Sequence, residues 1–214
     1  MRRYAASLLA LAAALFMGWR AWWVPNDLVL AHNLRGAAAV RIVFHADEHP
    51  APLSDTPGPS GLSEADTVAI YAAVIRSLCF AGDSLGSQCG APTLYLLRTT
   101  DDRGGNPLGA PSPPSAIPEA VQQGLAAALS DLPVRLVWVD TWAGVPLEEG
   151  AGKAVAGHGA AITLGNIRLR QDGAALVPAG VYIASLSGRG QTYVIEKAGG
   201  TWQVTGNTGY QWVS

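Results

Sequence analysis

The chain has 214 residues, a net charge of −2 and only 14% charged residues against 49% apolar ones. That balance speaks against a nucleic-acid partner, since no Lys/Arg cluster is present to track phosphates. It speaks equally against a disordered chain, because the 25 glycines and 14 prolines fall between apolar segments, as in one loop-rich domain.

The chain opens MRRYAASLLALAAALFMGWRAWWVPND. Arg2 and Arg3 precede an apolar run, and the 21 residues from Tyr4 to Val24 are long enough as a helix to cross a roughly 30 Å hydrocarbon core. Trp19, Trp22 and Trp23 form an aromatic flank, beside which Arg20 can snorkel to the interface. A cleavable signal needs a small residue at −3, and around Ala21 that position is Trp19. Residues 1–25 therefore read as a retained signal-anchor, a transmembrane helix crossing the bacterial cytoplasmic membrane once. Its positive end stays inside and the remainder of the chain outside. Secretion after signal cleavage is the alternative. The lipid bilayer is the first expected partner.

Residues 26–62 read as a short strand, Val40 to Phe44, followed by a Pro-rich linker. An extracytoplasmic α+β domain is expected over 63–214. Ser63 and Asp66 approximate a capping box, and Val68, Tyr71, Val74, Ile75 and Leu78 share one face of the helix they open. Thr93 to Arg98 predicts a strand. A second helix opens near Ser115 with Pro118 and Glu119 in its first turn, and Ile117, Val121, Leu125 and Leu129 form its apolar stripe. Val134 to Asp140 is a strand rich in β-formers, and Glu148 to Gly159 a Gly-rich passage. The last third predicts an antiparallel meander: AAITLGNIRL, ALVPAGVYIASL, QTYVIEK and TWQVT, separated by QDG, GRG and AGG turns, with YQWVS as a fifth segment. The apolar parity changes across Gly165-Asn166, which predicts a β-bulge, and Pro178 predicts an edge or a second bend. The expected fold is thus α+β: an N-terminal transmembrane helix, then two helices packed on one face of a curved antiparallel sheet.

CFAGDSLGSQCG holds both cysteines, Cys79 and Cys89. Outside the cytoplasm they can form a disulfide. Closing so short a loop is worth about 2–3 kcal/mol on the chain-entropy account. Two unrelated thiols are the alternative. Within the loop, Gly82-Asp83-Ser84-Leu85 resembles the serine block of GDSL-type hydrolases. In that family the serine follows a buried strand and the base sits in a D-x-x-H block. Here a helix precedes Ser84, and the one downstream histidine, His158, has Val155 at the acidic position. A serine without a base is a weak nucleophile, so Ser84 reads as a loop residue.

His45-Ala46-Asp47-Glu48-His49 resembles the inverted zinc-peptidase motif, but Pro50 and the preceding strand deny it the helix that aligns such ligands. Thr100 to Asn106 resembles a calcium loop, lacks alternating acidic positions, and reads as a solvated turn. Glu148 and Glu149 read as surface residues. Trp138, Tyr182, Tyr193, Trp202 and Trp212 stand at strand spacing and read as core rather than cavity lining. No catalytic, cofactor-binding or metal-binding set is assigned, and no cofactor is expected.

The C-terminal stretch GVYIASLSGRGQTYVIEKAGGTWQVTGNTGYQWVS, with Tyr71 to Leu78 more loosely, resembles a group of small exported bacterial domains of unknown function. It is also similar to the closing strands of NTF2-like and cystatin-like cones. The first resemblance implies no catalytic residues. The second implies a helix packed into a bent sheet, in a superfamily that holds enzymes and scaffolds alike. The expected function is a membrane-anchored extracytoplasmic domain, non-catalytic, acting through protein contacts or as an accessory subunit in the cell envelope. A small-ligand-binding NTF2-like module is the alternative, and a serine esterase at Ser84 the second.

Overall fold

A computed structural model describes residues 41–44, 61–80, 90–109, 112–150 and 152–214. The N-terminal anchor, the linker, the His45–His49 motif, Ser84 and the Cys79–Cys89 pairing through Cys89 lie outside the described residues. Among the described residues no helix is long and apolar enough to cross a membrane.

The first helix, α1 (Glu64–Cys79), starts where its capping residues place it. Ser63 Oγ accepts from the Asp66 N–H at 3.0 Å and donates to Asp66 Oδ2 at 2.7 Å. One orphan donor of the first turn is thereby satisfied, and Glu64 and Asp66 face the positive end of the helix dipole. Tyr71, Val74, Ile75 and Leu78 are buried. The second helix, α2 (Glu119–Ala128), follows Pro118 and buries Val121 and Leu125, with Ile117 and Leu129 buried at its two ends. Gly124 lets the two helices approach closely, for a Cβ there would stand 2.6 Å from Val68 Cγ2. Arg76 straps them together: Nη1 donates to Asp131 Oδ2 at 2.9 Å and Nη2 to the Ala128 carbonyl at 2.8 Å. That second bond satisfies the last carbonyl of α2.

The strands are β1 (Arg41–Phe44), β2 (Thr93–Leu97), β3 (Arg135–Val139), β4 (Ala160–Leu164), β5 (Arg168–Leu169), β6 (Ala175–Ala184), β7 (Ser187–Ala198) and β8 (Thr201–Val213). They form one mixed, curved, open sheet in the order β1-β8-β7-β6-β4-β2-β3, with β5 beside β6. The expected antiparallel sheet is corrected here, because β2 pairs parallel with both β3 and β4. Parallel neighbours need long crossovers, and these strands are joined by α2 and by the passage 140–159 rather than by tight turns. Only from β4 onward do short turns give the antiparallel meander.

Three details of that meander differ from expectation. Gly188 to Gly190 lie inside β7, and the turn is instead Ser185-Leu186. YQWVS is not a separate segment but the end of the 13-residue β8, which absorbs its curvature in register shifts against β7. At Gly165-Asn166 the strand breaks and resumes at Arg168, with residues 165–167 opposite only Val177 and Pro178 of β6, the one extra residue expected of a bulge. Pro178 sits opposite this gap, inside the sheet rather than at its edge. Its carbonyl accepts from Gly165 N–H at 2.6 Å, and on a strand the N and C=O of one residue point the same way. The N–H that proline lacks would therefore face the gap, where no ladder bond is lost.

Alternation sorts the side chains into two cores. Leu94, Leu96, Ile162, Leu164, Val177 and Tyr193 join both helices in the larger one. Leu97, Val139 and Ala161, of the other parity, meet Val145 and Val155 in a smaller one.

Candidate functional site

The sequence read as a solvated turn, Thr100 to Asn106, is instead folded onto the sheet. Asp102 is buried and accepts from the Asn166 N–H at 2.6 Å, from Asn166 Nδ2 at 3.2 Å and from Arg168 Nη2 at 3.0 Å. Its carboxylate thus fills the gap between β4 and β5, where it satisfies the Asn166 N–H in place of a neighbouring strand. Thr100 Oγ1 donates to Asn166 Oδ1 at 2.9 Å, and the Tyr71 hydroxyl donates to the Gly165 carbonyl at 3.0 Å. Burial pushes the Tyr71 hydroxyl above the usual tyrosine range, and the Asp102 charge adds to it. Gly105 rests on Pro178, where a Cβ would stand 2.7 Å from the Pro178 Cα. Every contact of this carboxylate is internal, so its role is architectural. Among the described residues no three His, Cys, Asp or Glu side chains gather to hold a metal ion.

The helix-covered face carries a second polar group. Arg189, Gln191 and Gln211 are all buried there, with Gln191 and Gln211 directly opposite each other on β7 and β8. Arg189 Nη2 donates to the Leu78 carbonyl at 2.7 Å, which caps an end carbonyl of α1. Gln191 Oε1 has no hydrogen-bond partner among the described residues. At the other end of α1, Asp66 Oδ1 accepts from Lys197 Nζ at 2.8 Å and Trp202 Nε1 at 2.7 Å. The bonds from Lys197, then Trp202, then Ser63 hold the Asp66 carboxyl well below the usual carboxylate range.

The passage 140–159 forms the candidate site. It leaves β3 through a single turn of 3-10 helix, Trp142–Gly144, and folds back so that Leu147 bridges Val155. Val155 N–H donates to the Ile183 carbonyl at 2.8 Å, and the Tyr182 hydroxyl donates to the Lys153 carbonyl at 2.9 Å. These bonds stitch the loop to the end of β6. Val145 and Val155 close the smaller core beneath it, while Trp142 and Leu147 each stay 45% exposed. The Trp142 ring stands edge-on to Tyr182 with centroids 6.0 Å apart, a favourable T-shaped arrangement. Exposed Asp140, Glu148 and Glu149 lie on the same passage, as does Lys153. The Glu148 carboxylate accepts from the Gly157 N–H at 3.3 Å.

The aromatic residues singled out in the sequence divide. Tyr193 and Trp202 are core, as expected, while Trp138 and Tyr182 are half-buried. Trp212 ties β8 to the Asp102 loop, its Nε1 donating to the Gly104 carbonyl at 2.9 Å. His158 is exposed at the far end of the passage and makes no side-chain hydrogen bond among the described residues. Trp142 was missed by pattern reading. Its available signal was position: it follows a strand end, in DTWAGVP, with no alternation to carry it inward.

Fold and site together define an α+β domain with a mixed open sheet, a buried polar brace on each face and one half-exposed aromatic platform. No family model, no curated protein and no solved structure matches the chain.

Proposed function

We propose that the chain is a membrane-tethered domain of the bacterial cell envelope that works through protein contacts, without catalysis or a cofactor. The observation that supports this is Trp142, 45% exposed yet held edge-on by Tyr182. An indole kept open by a rigid neighbour offers a large contact area for little lost side-chain freedom, which is why such residues anchor interfaces. Lys153 and His158 on the same passage hold left-handed φ values of 39° and 56°. Such backbone costs of order 1–2 kcal/mol per residue and suits a surface shaped for contact rather than for folding. The apolar run behind Arg2 and Arg3 supplies the tether and the outward orientation.

The test places a photo-crosslinking residue at position 142 in the full-length chain, expressed in cells that are then converted to spheroplasts. Added protease is expected to digest the domain, and irradiation before digestion to give a discrete adduct absent when the probe stands at exposed Thr201. Protection from protease overturns the address. A chain digested but free of adduct overturns the contact reading.

A second reading, a small polar ligand under the helices, is favoured by the buried Gln191 amide oxygen. A polar-metabolite panel that raises the melting temperature of the parent chain, but not of Gln191→Leu, supports it.

A further inference from the structure

We infer that two copies of this chain associate through β3, edge to edge, on a two-fold axis at Val137. β3 is the terminal strand of the sheet, and among the described residues its outer side meets no partner strand. The hydrogen bonds on its inner side fix which groups face out. Arg135 N–H donates to the Pro92 carbonyl at 2.9 Å, and the Val139 carbonyl accepts from Arg98 N–H at 2.9 Å. Odd-numbered residues therefore point their backbone groups at β2, and Leu136 and Trp138 point theirs outward.

This pattern is complementary to itself. With Val137 on the axis, antiparallel pairing sets Leu136 of each copy opposite Trp138 of the other. Each such pair exchanges both N–H···O=C bonds, which makes four in all. An axis perpendicular to the sheet keeps the helix-covered faces of both copies on the same side, so each larger core continues into the other. Leu136, Val137 and Trp138 are all half-buried in one copy, and each gains a cross-strand apolar neighbour. Exposed Arg135 of one copy stands opposite Val139 of the other, and Asp140 keeps its own partner, Arg98, at 3.1 Å.

RLVWV has no proline, no lysine and no bulge in its register with β2, and its one charged residue, Arg135, stands at its end. A second copy is the occupant that satisfies the hydrogen-bond register and at the same time sets Leu136 and Trp138 of the two larger cores against each other. This association is independent of the address proposed above.

Cysteine substitution in the full-length, detergent-purified chain tests the register. At a non-hydrogen-bonded antiparallel pair the two Cα atoms stand about 4.5 Å apart, inside disulfide range. Val137→Cys is expected to give a reducible dimer on mild oxidation in clear excess over the parent chain. Leu136→Cys, whose opposite neighbour is Trp138, is expected to give no excess. Trp138→Pro, which removes an outward N–H, is expected to shift the sedimentation equilibrium toward monomer by tenfold or more. Should that variant not fold, the cysteine pair still decides. A parent chain that sediments as monomer at every concentration, or equal cross-linking at 136 and 137, overturns the inference. So does an edge occupied only by a different protein.

Discussion

Trp212 Nε1 donates to the Gly104 carbonyl at 2.9 Å and so joins the last strand to a loop 108 residues earlier. The bond holds the Asp102 loop flat on the sheet face opposite the helices. Trp212→Phe keeps most of the ring and deletes the donor. Leaving a largely buried carbonyl unsatisfied costs about 1–3 kcal/mol. Urea unfolding is expected to show a lower midpoint at unchanged slope, and an unchanged midpoint would show that the bond contributes nothing.

Gly190 lies beneath the same loop. A Cβ there falls on the Gly104 carbonyl oxygen and within 2.5 Å of Trp212 Nε1. The obstruction is backbone, which cannot rotate aside. Gly190→Ala is therefore expected to destabilise by about 2–3 kcal/mol through overpacking, whereas Gly206→Ala, with open space around it, is expected to lie within about 0.5 kcal/mol of the parent.

Asp102→Asn tests the plug between β4 and β5. The carboxylate accepts at both oxygens, from Asn166 and Arg168, and an amide must turn its NH₂ toward one of those donors. A loss of about 2 kcal/mol in thermal or urea unfolding is expected. Hydrogen exchange is expected to rise first at the amide of Asn166.

Acid unfolding reads Asp66. Its folded carboxyl titrates well below the ordinary value of 3.8, because Lys197, Trp202 and Ser63 hydrogen-bond the charged form. The unfolded chain thus binds the proton first as pH falls. The stabilisation is complete above about pH 5 and is lost as pH drops through 3.8 toward the folded value. Asp66→Asn is expected to flatten the stability–pH slope between pH 2 and 4, with little effect of pH on the difference above pH 5. An identical slope in the variant would show the interaction to be absent in solution.

Trp142→Ala separates contact from folding. The ring packs on Tyr182 but closes no core, so the loss of stability is expected to stay within about 1 kcal/mol. The cross-link from a probe at neighbouring Thr141 is expected to disappear. A large drop in melting temperature would make Trp142 a structural residue.

The helices were legible because their signals are local. Ser63, Asp66 and the stripe from Val121 to Leu129 lie within a few turns of the bonds and contacts they form. The C-terminal meander was legible for the same reason. The parallel pairing of β2 with β3 and β4 was not, since alternation in TLYLL and RLVWV tells which side chains share a face, not which way the neighbouring strand runs. Pro178 showed that something irregular lay beside it, but the cause is a gap three strand positions wide filled by a carboxylate from residue 102, which no local pattern encodes. The platform was hidden for the opposite reason. Exposure of Trp142 depends on Tyr182 and Lys153 arriving from elsewhere to hold the passage in place.

The pairing of β1 with β8 carries a consequence for how the protein is made. Arg41 lies opposite Val213, so the earliest described strand to leave the ribosome has its only described strand partner in the last. At about 5–20 residues per second, the interval between the two is on the order of ten to thirty seconds. Throughout it, the α1–β7 portion can assemble around its own contacts while β1 has no template. Completion of this edge therefore waits for the synthesis of β8, and a nascent chain stalled before Thr201 would present β7 as a bare rim.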